Sequence, residues 1–180
     1  PHDFNTHEGE QNMTSGVVSP HRSLYDEDHE ALRETVRAFV AKHAAPNAEK
    51  WEKEGKVERW LFAEAAEAGL LGFNIPEEYG GAGIEDYRFN AVIGEELSRN
   101  PVSSGMAGIG LSSDIVIPYF TELTNDEQKA RWLPGIATGQ LITAVAMTEP
   151  GTGSDLAGIS STAVRDGDEY VINGSKVFIS

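Results

Sequence analysis

Tyr25, His29, Leu32, Val36, Phe39, Val40 and His43 recur at helical spacing, which predicts an amphipathic first helix. Ser23 and Asp26 stand where its first turn needs a cap, and Pro46 is expected to stop it. Trp60 to Ala68 reads as a second helix, with Gly69 as its left-handed terminator. Phe89, Val92, Ile93 and Leu97 share one side of a third, from Tyr87 to Leu97. Pro101 opens a fourth over Val102 to Phe120, apolar but crowded with small residues. Its glycines 105, 108 and 110 each weaken a helix by roughly 1 kcal/mol relative to alanine. Such a helix serves either close helix–helix packing or the wall of a ligand channel. Thr124 and Glu127 have the spacing of a capping box, opening a short helix expected to end before Pro134.

Near Gln140 the pattern changes. "LITAVAM" (Leu141 to Met147) is apolar and β-branched. "STAVR" and "EYVI" flank Asp-Gly-Asp, while "EYVI" and "KVFIS" flank Asn-Gly-Ser, so two hairpins are predicted. The reading is an unpatterned tail over 1–22, an all-α domain over 23–139, and the first strands of an antiparallel β domain over 140–180. A chain closing on an apolar strand leaves an open sheet edge, so the β domain is expected to be incomplete and the sequence to be the front part of something longer. Met13 is a candidate for the true start.

Composition narrows the function. With 29 acidic against 14 basic residues, the net charge is −15, and a phosphate backbone finds no basic surface here. The absence of cysteine excludes disulfides, thiolate metal sites and cysteine nucleophiles. No apolar run approaches the ~20 residues of a membrane span, and no secretory signal opens the chain, so a cytoplasmic protein is expected. His2, His7, His21, His29 and His43 lack metal-ligand spacing and read as tail, surface or capping residues.

The chemistry concentrates in "AMTEPGTGSD", Ala146 to Asp155. Thr148, Thr152 and Ser154 supply hydroxyls, and Gly151 and Gly153 permit a backbone that exposes N–H groups. Taken alone, the stretch is either a solvated turn or a backbone cradle for a polar ligand. Glu149 reads as a solvated turn carboxylate.

Its surroundings decide between them. "AMTEPGTGSDLAGISSTAVRDGDEYVINGSKVFIS" closely resembles the flavin-binding signature of acyl-CoA dehydrogenases. "GLLGFNIPEEYGGAG" and "TNDEQKARWLPGIATGQLITAVAMTEP" match that family's helical half, and the resemblance runs from about Leu24 to Ser180. It implies an FAD enzyme that desaturates an acyl-CoA, by α-proton abstraction with β-hydride transfer to the flavin. Val145, Met147 and Thr148 are then expected along the pyrimidine edge of the isoalloxazine. Gly153 and Ser154 would close over cofactor and thioester, with Ser154 touching both. Phe178 would cover a flavin face, next to Ile179, and Ser180 would bond the hydride-accepting nitrogen. The family's catalytic carboxylate lies in a C-terminal helical domain, so no catalytic residue is assigned within 1–180, and the chain alone is expected to be inactive. Electron-transfer flavoprotein is the implied electron acceptor and a homotetramer the implied assembly, in the mitochondrial matrix if the source is eukaryotic. The helix from Val102 to Phe120 becomes a candidate acyl channel, with Gly108 and Gly110 giving room and Met106, Ile109 and Leu111 as walls. Acyl-CoA oxidases, flavin monooxygenases of the same fold, and a non-catalytic assembly module remain alternatives.

Overall fold

A computed structural model describes residues 24–100 and 103–179. The predicted tail with its three histidines, Ser23, Pro101 and Ser180 lie outside the described residues. Helix α1 (Glu27–Phe39) begins where Asp26 turns extended and accepts the N–H groups of Asp28 and His29. The His29 ring reaches back to the Asp26 backbone and sits 2.6 Å from its carboxylate, closing a reciprocal cap. His29 therefore caps as expected, but it is not a surface residue. It is 1% exposed, because Tyr25 and Phe89 cover the ring. His43 is half-buried, between Phe39 and Trp60.

Pro46 does not stop the chain. The helix widens into a π turn at Val40–Ala44, tightens into a 3-10 turn at Ala45–Asn47 and resumes as α2 (Ala48–Glu54). A proline ring crowds the carbonyl one turn back and offers no N–H, and the wider turn makes room for it. Buried Ala44 and Trp51 keep the resumed helix on the core. Pro118 acts in the same way. After α3 (Trp60–Glu67), α4 (Arg88–Ser98) and α5 (Ser103–Leu111), a second π turn at Ser112–Val116 precedes α6 (Ile117–Leu123).

Gly69 closes α3 with φ 73°, as predicted. The cap of α7 (Asp126–Ala137) falls one residue later than predicted, as a reciprocal Asn125–Gln128 pair. The Thr124 hydroxyl is instead bonded to the Phe120 carbonyl, finishing α6. Helix α7 also runs through Pro134 rather than ending before it. An interior proline costs roughly 3 kcal/mol, offset by burial of Leu133, Ile136 and Ala137 around it.

Helix α4 packs between α1 and α5. Phe39, Leu61, Phe62, Ile93, Met106 and Ile109 lie in the core they enclose. A second cluster, including Ile75, Ile117, Leu133 and Ile136, joins α6 to α7. Glu96 of α4 is buried but held by Arg33 at 2.7 Å and Arg37 at 2.9 Å, both from α1.

Beyond α7 comes antiparallel structure. Strands β1 (Thr162–Asp166) and β2 (Glu169–Asn173) pair from Thr162↔Asn173 to Asp166↔Glu169. Gly167, φ 63°, opens their two-residue turn, where a type II′ turn places glycine. The fold is thus a helical N-terminal domain followed by a small antiparallel sheet. Two predicted β elements differ. Residues 142–148 take no regular element and join no ladder among the described residues, since a β-branched run becomes a sheet member only beside a neighbouring strand. The Asn-Gly-Ser stretch does not form a second hairpin either: beyond β2 the chain crosses to Thr148 instead of folding back on β2.

Candidate flavin and acyl site

Glu149 and Thr152 exchange both backbone hydrogen bonds, at 3.0 Å each, across Pro150 and Gly151. Thr152 is buried, and its hydroxyl donates to the Gly158 carbonyl at 2.7 Å. The Asp155 side chain caps a 3-10 turn at Leu156–Gly158. The motif is therefore a built loop, held from inside by Thr152, and not a loose turn.

Glu149 corrects the sequence reading. It is 5% exposed rather than solvated. Its carboxylate accepts from Ser160 N at 2.8 Å, Ser160 Oγ at 2.7 Å, Ser161 N at 3.0 Å and Lys176 Nζ at 2.9 Å. Ser161, Lys176 and Ser160 hold its carboxyl well below the usual carboxylate range. Periodicity cannot show this, because all three partners are distant in sequence. The available signal was one Glu in the motif and one Lys before the final apolar residues.

The predicted cofactor residues fall into two segments that meet. Val177 N donates to the Thr148 carbonyl at 3.0 Å, and Lys176 Nζ to the Met147 carbonyl at 3.0 Å. Val145, Met147 and Thr148 therefore lie on a strip beside the one that carries Phe178 and Ile179. Ser154 and Gly153 are on the far limb of the turn, exposed, without a hydrogen bond to either strip.

Whether these residues suit an isoalloxazine is tested by what they leave open. Phe178 is 94% exposed and holds φ 55°, a conformation that costs a bulky residue about 1–3 kcal/mol. The ring is thereby turned outward and left uncovered by the described residues. A Cβ added at Gly151 or Gly153 meets nothing within 4 Å, and neither glycine has positive φ, so neither backbone geometry nor packing within this chain requires glycine there. The Thr148 and Ser154 hydroxyls have no partner among the described residues. An open ring, a bare backbone and two available hydroxyls fit a flat polar heterocycle.

A groove of about 410 Å³ runs between α4 and α5, past Gly94, Leu97, Met106, Gly110, Leu111 and Asp114. The glycines of this region divide into two kinds. A Cβ on Gly108 would stand 3.1 Å from Phe62 Cζ, so Gly108 serves packing. One on Gly94 meets nothing, and one on Gly110 only Asp114 Oδ2 at 3.9 Å. Ile109 is wholly buried in the core and does not line the groove, whereas Met106 and Leu111 do. Asn90 donates to Asp114 Oδ1 at 2.7 Å, fixing that carboxylate at the groove's end. Ser112, two residues past Gly110, is hydrogen-bonded at 2.8 Å to Thr143, two residues before Val145. Groove and loop are thus tied together.

Among the described residues, no three His, Cys, Asp or Glu side chains are grouped to hold a metal, and no helix is long and apolar enough to cross a membrane. Residues 26–140 match the model of the acyl-CoA dehydrogenase N-terminal domain and residues 144–180 that of the middle domain. The mitochondrial long-chain specific acyl-CoA dehydrogenase of Sus scrofa is 41% identical over 159 residues, covering 88% of this chain and 36% of that protein. An acyl-CoA dehydrogenase crystal structure from Geobacillus kaustophilus superposes with a TM-score of 0.80 at 48% identity, over 87% of this chain and 40% of that one. A glutaryl-CoA dehydrogenase from Mycobacterium smegmatis in complex with FADH2 gives 0.73 at 31% identity, over 85% and 39%. The chain spans about a third of the length of the first curated relatives it matches. On these matches and this fold, the chain belongs to the acyl-CoA dehydrogenase family.

Proposed function

We propose that residues 140–180 form one wall of an FAD site and residues 23–139 one side of an acyl groove, in a protein that desaturates an acyl-CoA. The observation that carries the flavin reading is Phe178, an aromatic face held outward in a strained conformation beside the Met147–Thr148 strip. FAD, when bound, supplies the hydride acceptor. The chain's own residues bind and orient. Thr148 offers a hydroxyl and adjoining backbone to the ring's polar edge, Phe178 excludes water from one face, and Gly153 and Ser154 leave room for the thioester. Glu149 is committed to four donors and is not available as a base. As the family resemblance implies, the α-proton goes to a carboxylate of the C-terminal helical domain, outside residues 1–180. Electron-transfer flavoprotein as acceptor and a homotetrameric assembly belong to the same reading.

Gly94 and Gly110 support the acyl groove. Each weakens its helix by roughly 1 kcal/mol, yet among the described residues the space they leave meets only one contact, at 3.9 Å. The test uses the full-length protein loaded with FAD. Anaerobic addition of acyl-CoA is expected to bleach the flavin and yield the 2,3-enoyl-CoA, and Gly110→Leu is expected to move preference toward shorter chains. An unbleached flavin overturns the activity. Unchanged chain selectivity overturns the groove. Rapid oxygen uptake by the reduced protein indicates an oxidase instead.

A further inference from the structure

We infer that Glu149 and Lys176 are positioning residues, a clip that holds the two cofactor-lining strips in register; this inference rests on the flavin reading above. The strips, 145–148 and 178–179, are separated by twenty-nine residues of chain that include an exposed hairpin. Both ends of that hairpin return to one carboxylate. Ser160 and Ser161, just before β1, donate to Glu149 through both backbone N–H groups and the Ser160 hydroxyl. Lys176, three residues after β2, reaches the same carboxylate and also donates to the Met147 carbonyl. A single ammonium thus ties the residue that starts the loop, the strip on the ring's polar edge, and the segment carrying Phe178.

Few other contacts set the register. Among the described residues one further bond links these segments, Val177 N to the Thr148 carbonyl at 3.0 Å. β1 and β2 are exposed throughout, so little burial orients their ends. A charged pair with several donors is stronger and more directional than neutral hydrogen bonds. Glu149 is buried at 5% exposure and the Lys176 side chain is 28% exposed, so solvent screens the pair only partly. Removing either partner leaves a charge in this partly buried place without its counter-charge.

The experiment uses the full-length protein, with Glu149→Gln, Lys176→Met, the double variant and Lys176→Arg. FAD is titrated into apoprotein well below the melting transition, where circular dichroism shows each variant folded. The absorption band positions of bound flavin and the Val177 amide exchange rate of the apoprotein are also recorded. Each single loss is expected to weaken FAD binding about tenfold to a hundredfold, to shift the flavin bands and to speed Val177 exchange. The double variant is expected to be no worse than the poorer single one, as for partners in one interaction, and Lys176→Arg to restore most of the binding. A purely architectural role would lower the melting temperature while leaving the bands and the folded-state FAD affinity as in wild type, and that result overturns the clip. Independent, additive losses overturn it as well. A wild-type protein that takes up no FAD overturns the flavin reading and this inference with it, a failure distinct from wild type and variants binding alike.

Discussion

Gly108 and Gly110 lie two residues apart on α5, and the structure gives alanine opposite effects at the two positions. Replacing an interior helical glycine with alanine stabilises the folded state by roughly 1 kcal/mol through backbone entropy. At Gly110 nothing opposes that gain, since the new methyl meets only Asp114 Oδ2 at 3.9 Å. At Gly108 it stands 3.1 Å from Phe62 Cζ and 3.4 Å from Cε1. The ring has little room to retreat, being 7% exposed in the same core cluster as Leu61 and Ile109. Overpacking of this kind costs about 1–3 kcal/mol, so the net effect at Gly108 lies between neutral and about 2 kcal/mol destabilising. For a chain of this size 1 kcal/mol moves the melting temperature by about 2–4 °C. Urea unfolding followed by circular dichroism, with the slope checked for constancy, measures both variants. The expected result is Gly110→Ala above wild type and Gly108→Ala at or below it, with Gly94→Ala behaving like Gly110→Ala. Equal stabilisation at 108 and 110 would refute the Phe62 contact. A loss at Gly110 would mean that its space is already filled, and the groove reading would fall with it.

Two further outcomes follow from the ion pairs. Glu96→Ala leaves the guanidinium of Arg33 buried without its nearest carboxylate; because Glu30 and Glu95 remain on Arg33, the expected loss is about 3 kcal/mol in urea unfolding, the lower end for a broken buried pair. Asp86 is held at about 2 by Arg88, below its ordinary value, so it stabilises the fold above about pH 4 and that contribution disappears as pH falls toward 2; Asp86→Asn should flatten the acid unfolding curve in that window, and an unchanged curve would refute the pairing.

What could be read in the sequence was what local spacing determines. The helices at 27–39, 60–67 and 88–98 follow from apolar positions that fall on one face, and Gly69 ends its helix with φ 73° because no other residue does so at so little cost. The errors cluster where two local signals compete or where the deciding partner is remote. "TNDEQ" contains a Thr-x-x-Glu and an overlapping Asn-x-x-Gln, and both can cap. The choice turned on the Thr124 hydroxyl, which is taken by the end of the preceding helix. Pro46 and Pro134 look like stops because a proline removes one hydrogen bond, but that loss is bounded while burial is not. Trp51 on one side and Leu133 with Ile136 on the other bury enough to carry a helix past the proline.

The candidate site divides along the same line. Its residue types were legible, because hydroxyls, glycines and an aromatic can be listed without knowing where they go. Its geometry was not. Asn-Gly is a strong hairpin signal only while the following residues have no better partner, and Lys176 has one in Glu149, twenty-seven residues back. Once that pair forms, the segment after β2 is drawn across to Thr148, and a second hairpin would have to break it. Glu149 itself shows why composition misled. A carboxylate in a Pro-Gly turn is normally solvated, and only Ser160, Ser161 and Lys176 arriving together make its burial affordable. Two residues past the clip the chain bends at Phe178, which holds a left-handed conformation that glycine would take freely. That a bulky aromatic is kept there, turned outward, is the physical reason to expect a flat partner against its face.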